Sequence, residues 1–75
     1  MSAAATVRVK GVDVAPRLVR LKGGAAYLGM SPWQLRNLVQ RGELPVVKIS
    51  DGGPWLLDLR DLDAWVERNK TTVLD

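Results

Sequence analysis

The chain has 75 residues, with 11 Lys and Arg against 8 Asp and Glu, a formal net charge of +3, and neither Cys nor His. That composition excludes a disulfide scaffold, a Cys/His zinc finger, thiol chemistry and any catalysis resting on histidine. No apolar run approaches the ~20 residues of a membrane span, and a core this small supplies only roughly 3–5 kcal/mol of net stability. A buried catalytic cavity would consume much of that core, so one small binding module is expected rather than an enzyme.

The charge is unevenly spread. Residues 1–50 hold eight Lys and Arg against Asp13 and Glu43, a net +6, while residues 51–75 hold three against six acidic residues, a net −3. A basic first part facing a polyanion and an acidic last part facing elsewhere suit a nucleic-acid binder. Scattered solvated charge is the competing reading.

Residues 1–17 read as a flexible arm. Residues 6–10 alternate at period two, which allows a short strand, and Gly11 marks a bulge or break. The Ala-rich start resembles a transit peptide only in lacking early acidic residues, because it has no Arg-rich amphipathic helix. Leu21, Ala25 and Leu28 predict a short helix over 21–29. Gly23 and Gly24 weaken it by up to ~1 kcal/mol each, so packing must hold it, and they allow close approach of a second helix.

That second helix is the most clearly written element. Ser31 is an N-cap, Pro32 suits the first helical position and Gln34 completes a capping box. Met30 can staple onto Leu35. Gly42 can close the helix in the left-handed conformation, and Pro45 prevents its resumption. At about 100° per residue, Leu35, Leu38 and Val39 share one face and Trp33, Arg36, Asn37 and Gln40 the other. Arg can fork onto guanine, and Asn or Gln onto adenine. Taken alone, the same face also reads as solvated, with Trp33 folded back.

Val46-Val47-Lys48-Ile49, a dense turn signal at Ser50-Asp51-Gly52-Gly53-Pro54, and Trp55-Leu56-Leu57 predict a β-hairpin. Asp58 caps a last helix, supported by Asp61, with an apolar stripe of Leu59, Leu62, Trp65 and Val66. Arg68 and Lys70 suit its C-terminal end, and residues 71–75 should fray. Trp55 and Trp65 each sit in an apolar pattern and are expected in the core. Helix, tight turn at Leu28-Gly29-Met30-Ser31, capped helix, hairpin and helix make a mainly α winged helix-turn-helix over residues 18–70, with the hairpin as wing.

Ala25-Ala26-Tyr27-Leu28-Gly29-Met30-Ser31, Arg41-Gly42-Glu43-Leu44-Pro45 and Asp61-Leu62-Asp63-Ala64-Trp65 together resemble the excisionase family, over residues 18–69. The resemblance implies a MerR-like winged-helix domain that binds DNA without catalysis. Many such proteins are recombination directionality factors that bend or coat attachment sites and steer an integrase towards excision. Others are short transcriptional regulators of phages and mobile elements. A cytoplasmic, bacterial or phage-encoded protein is implied. The chain departs from the family in two regions. Arg20 and Gly23 stand where a cap and an acidic residue are usual, and the wing tip Ser50-Asp51-Gly52-Gly53 lacks the usual cations.

The expected interface is therefore double-stranded DNA on the second helix. Trp33, Gln34, Arg36, Asn37 and Gln40 would read bases, and Arg20, Lys22, Ser31, Pro32, Arg41 and Lys48 would hold phosphates. The arm cations Arg8, Lys10 and Arg17 could compensate for the bare wing tip. A single module buries only ~600–1,000 Å² on DNA, so cooperative self-association on adjacent sites is expected. An adaptor role is the alternative from another class, with exposed Asp61, Asp63 and Glu67 docking a basic partner such as an integrase. Asp58, Asp61 and Asp63 are better explained by helix capping and solvent than by a metal. The Gly52-Gly53 pair precedes a strand, not a helix, so no nucleotide signature is present. No cofactor, small-molecule ligand or membrane association is expected.

Overall fold

The computed structural model describes residues 7–9 and 11–74. Its elements are β1 (Val7–Val9), β2 (Val12–Val14), β3 (Leu18–Arg20), α1 (Leu21–Leu28), α2 (Pro32–Gln40), β4 (Leu56–Asp58) and α3 (Leu59–Asn69). Three helices and a small antiparallel sheet form the winged helix-turn-helix arrangement.

The period-two stretch near the N-terminus is a strand at Val7–Val9, paired antiparallel with Val12–Val14 in the register Val7↔Val14 and Val9↔Val12. Gly11 lies in the connecting turn at φ 80°, so it reverses the chain rather than interrupting one strand. Lys10 lies outside the described residues.

The sheet of the main domain differs from the hairpin expected at 46–57. β4 pairs along its length with β3, in the register Leu18↔Asp58 and Arg20↔Leu56. The run Val46–Ile49 contributes one bridge, in which Val47 N–H donates to Leu56 O at 2.7 Å and Leu56 N–H donates to Val47 O at 2.9 Å. The reason lies in two prolines. The next hydrogen-bonded pairs in that register would be 49 with 54 and 45 with 58, and Pro54 and Pro45 have no N–H to donate. The ladder stops after one rung on both sides, and Ile49 is left 82% exposed.

α1 begins directly after β3 with no side-chain cap at Arg20. It ends in a Schellman motif, with Gly29 at φ 75° and Met30 N–H donating to Ala25 O at 2.9 Å. α2 has the capping box: Gln34 N–H donates to Ser31 Oγ at 3.1 Å and Ser31 N–H to Gln34 Oε1 at 2.9 Å. It closes in a second Schellman motif, with Gly42 at φ 80° and Glu43 N–H donating to Leu38 O at 3.0 Å. Asp58 caps α3 by accepting from Arg60 N–H at 2.9 Å.

The core joins all these pieces. Ala25, Leu35, Leu38, Leu44, Leu57, Leu59 and Leu62 are buried, with Met30, Val39 and Trp65 half-buried against them. A Cβ on Gly24 would stand 3.1 Å from Leu35 Cδ2, so this glycine is what lets α1 sit so close to α2. At Gly23 the nearest neighbour is Val19 Cβ, at an ordinary 3.4 Å. Trp55 is not in the core as expected. It is half-buried beyond the proline-limited rung, where its ring faces α2 instead of the leucines. Residues 71–74 form no helix or strand and are exposed.

Candidate nucleic-acid interface

The capping box and the two Schellman turns fix α2 at both ends, and burial of Leu35 and Leu38 fixes its rotation. The opposite face is consequently presented outward. Trp33 is 71% exposed, Arg36 and Gln40 are exposed, and Asn37 is half-buried. An exposed indole, guanidinium and amide, with a second amide half-buried beside them, offer both groove-edge hydrogen bonds and an apolar contact. Gln34 is also exposed, but its carbonyl oxygen is occupied by the cap, leaving its NH2 group for any outside contact.

Two clefts flank this face. One, of about 490 Å³, lies between the starts of α1 and α2 and the wing, and is lined by Arg20, Lys22, Pro32, Arg36, Pro54 and Trp55, with Leu21 and Gly53. Three cations therefore share one cleft, drawn from three places in the chain. The other, of about 350 Å³, lies between α2 and α3, with Trp33, Asn37, Arg41 and Trp65 among its lining residues.

The cations differ in what holds them. Arg41 Nη2 lies 2.8 Å from Glu43 Oε2, and its Nε donates to the same oxygen at 3.0 Å. Arg41 is therefore an exposed residue whose guanidinium is ion-paired with Glu43. Glu43 also accepts from Trp65 Nε1 at 3.5 Å, and its backbone carbonyl accepts from Arg68 at 3.4 Å, so it ties the end of α2 to α3. Arg17 Nε donates to Asp58 Oδ2 at 3.0 Å, so the arm cation nearest the domain is committed to the α3 cap. Arg36 instead lies over the Trp55 ring, with its Cζ 5.3 Å from the ring centroid.

Lys48 is exposed just after the Val47 bridge. At the wing tip, Gly53 N–H donates to Ser50 O at 3.1 Å and Gly52 takes φ 75°, a tight turn that leaves Ser50, Asp51 and Gly52 exposed. On α3, Asp63 accepts a 2.7 Å bond from the Tyr27 hydroxyl, and Glu67 pairs with Lys70 at 2.8 Å. Both remain exposed, whereas Asp61 is half-buried on the flank of the apolar stripe, four residues before Trp65. The expectation of three exposed carboxylates on α3 thus holds for two.

The Asp58 carboxyl is held below its ordinary range, chiefly by the Arg60 backbone N–H and then by Arg17, against an opposing effect of desolvation. The Tyr27 hydroxyl is raised, first by its bond to Asp63 and then by desolvation and the Asp63 charge. Neither group touches the α2 face, so both shifts belong to the scaffold.

Helix, Schellman turn and capped second helix with an outward polar face define a helix-turn-helix protein. A family model described as a helix-turn-helix domain matches residues 21–70, and the chain belongs to that family, a DNA-binding class. Comparison with curated proteins and with solved structures gave no match.

Sequence reasoning missed β3, the Trp55–Arg36 stack and the Glu43 links. A weak signal for β3 was present in Leu18-Val19 ahead of α1. For Glu43, its place two residues after Arg41 was a signal for pairing. Nothing local marked Trp55, whose partner is 19 positions away.

Proposed function

We propose that the chain is a DNA-binding accessory factor of the excisionase type. It inserts α2 into the major groove of an attachment site and directs an integrase towards excision. Trp33, Arg36, Asn37 and Gln40 read base edges, with Gln34 at the margin. Arg20, Lys22 and Lys48 contact phosphates beside them, along with Ser31 and Pro32 at the start of α2. The observation that carries the reading is the outward face of α2, an exposed indole, guanidinium and amide on a helix fixed at both ends. The joined Ala25–Ser31, Arg41–Pro45 and Asp61–Trp65 motifs suit the excisionase role and a transcriptional role alike, and an excision assay separates the two.

Selection from a random duplex pool, followed by binding across a salt series, tests the DNA step. With about three phosphates neutralised, log K should fall against log salt with a slope near −2.7. Absence of any enriched duplex, or salt-independent binding, overturns it. Excision in vitro with a cognate integrase tests the role. DNA binding without any effect on excision would leave a transcriptional regulator, read out by repression of a promoter carrying the selected site.

A further inference from the structure

We infer that Trp55 is a positioning residue for Arg36, and that the wing takes part in recognition by holding this ring beneath the guanidinium rather than through cations at its tip. The inference rests on the base-reading role of α2 proposed above.

An arginine that reads guanine must present its planar fork in one orientation. A carboxylate partner would orient it, but would occupy the same N–H edge. That is the situation of Arg41 with Glu43 and of Arg17 with Asp58. Arg36 is held differently. Its Cζ sits 5.3 Å from the Trp55 centroid, and no hydrogen bond or ion pair occupies its N–H groups among the described residues. A ring engages the face of a guanidinium and leaves its donor edge free.

The placement of Trp55 follows from the chain. Pro54 ends the ladder one rung past Leu56, so Trp55 leaves the sheet at the wing root and is not drawn into the leucine core. Pro32 and Pro54 line the same cleft and stiffen both of its sides. The wing tip, Ser50-Asp51-Gly52-Gly53, carries no Lys or Arg. A wing that supports the reading side chain gives that element a function without tip cations.

The test is a double-mutant cycle of Trp55→Leu and Arg36→Ala. Binding is measured by fluorescence anisotropy on a duplex enriched by the wild-type chain and on a scrambled duplex of the same composition. Trp55→Leu should weaken the enriched duplex about two- to fivefold, the range of an exposed cation–π contact, and leave the scrambled duplex unchanged. In the Arg36→Ala background the same change should have no further effect, and Trp55→Phe should restore most of the loss. Equal loss on both duplexes, or an undiminished effect in the Arg36→Ala background, overturns the inference while leaving DNA reading intact. Failure of the wild-type chain to enrich any duplex overturns the reading of α2 and this inference together. If Trp55→Leu does not melt cooperatively, Trp55→Phe takes its place in the cycle. A small loss on the enriched duplex that vanishes with Arg36→Ala then supports the stack, and an additive loss overturns it.

Discussion

Arg17 and Asp58, 41 positions apart, are joined by a 3.0 Å bond from Nε to Oδ2, while the other carboxylate oxygen caps α3 through Arg60 N–H. Arg17 O also accepts from Leu59 N–H at 2.9 Å. One aspartate thus closes the sheet, starts the last helix and anchors the segment entering β3. Its folded carboxyl titrates below the ordinary Asp value of 3.8. Depression of the folded value means that its stabilisation is fully present above the ordinary value and is lost as pH falls through the folded one. Asp58→Asn should therefore lower Tm at neutral pH and flatten the loss of Tm below about pH 4. Thermal melts by circular dichroism across an acid series check both, and parallel curves for the two proteins would contradict the assignment.

The two glycines of α1 should respond with opposite signs to the same substitution. Gly23→Ala adds a Cβ at an ordinary 3.4 Å from Val19 Cβ, so helix propensity dominates and stability should rise by up to ~1 kcal/mol. Gly24→Ala places its Cβ 3.1 Å from Cδ2 of fully buried Leu35, with Leu57 and Leu62 both at 3.5 Å. Overpacking costs about 1–3 kcal/mol and outweighs the propensity gain. Urea unfolding of the pair checks the sign change.

Tyr27 and Asp63 link α1 to α3 across the surface, and the phenol is raised above its ordinary 10.0 by that bond. A raised folded value places the stabilisation below the ordinary value and loses it as pH rises through the folded one. Tyr27→Phe should lower Tm near neutrality and narrow the gap from wild type at strongly alkaline pH. A gap independent of pH would show that the hydrogen bond contributes nothing.

What was legible in the sequence follows from how local each signal is. The α2 boundaries depend on Ser31, Pro32, Gln34 and Gly42, all within one or two turns of the groups they satisfy, and the structure matches them. The outward position of Trp33 follows from helical periodicity alone. The hairpin expected at 46–57 forms with a single rung, Val47↔Leu56, and its second strand makes its longer ladder elsewhere. A β-branched run at 46–49 reads as a strand, but the rungs on either side of Val47 needed N–H groups that Pro45 and Pro54 lack. β4 therefore pairs with Leu18–Arg20, nearly 40 residues upstream. Trp55 was misplaced, and the pairing of Arg41 missed, for a similar reason. Apolar pattern and charge state what a side chain is, whereas Arg36 and Glu43, brought in by the fold, decide what it does.

Arg36 and Lys22 line the same cleft but should lose different things on truncation. Arg36→Ala removes a donor fork on the α2 face and should cost roughly 1–3 kcal/mol on the enriched duplex, with relaxed preference at one base position. Lys22→Ala, at the start of α1, should weaken all duplexes about equally and reduce the salt slope by about 0.9. Repeating the selection with each variant separates them, and uniform loss for both would place α2 outside the groove.

On the proposed DNA-binding reading, Glu43 limits the positive charge that the end of α2 offers. Its carboxylate holds Arg41 at 2.8 Å, in a pair whose side chains are 62% and 41% exposed. Such a surface pair stabilises the fold by only about 0–1 kcal/mol, but it neutralises a cation beside the reading face. Glu43→Gln keeps an acceptor near Trp65 and releases the guanidinium. Affinity should then rise for enriched and scrambled duplexes alike, because a freed phosphate contact carries no sequence information, and the salt slope should steepen by about 0.9. Arg41→Ala in the same background should cancel the gain. Anisotropy titrations at two salt concentrations check this. A gain confined to the enriched duplex would instead mean that the released Arg41 reads a base.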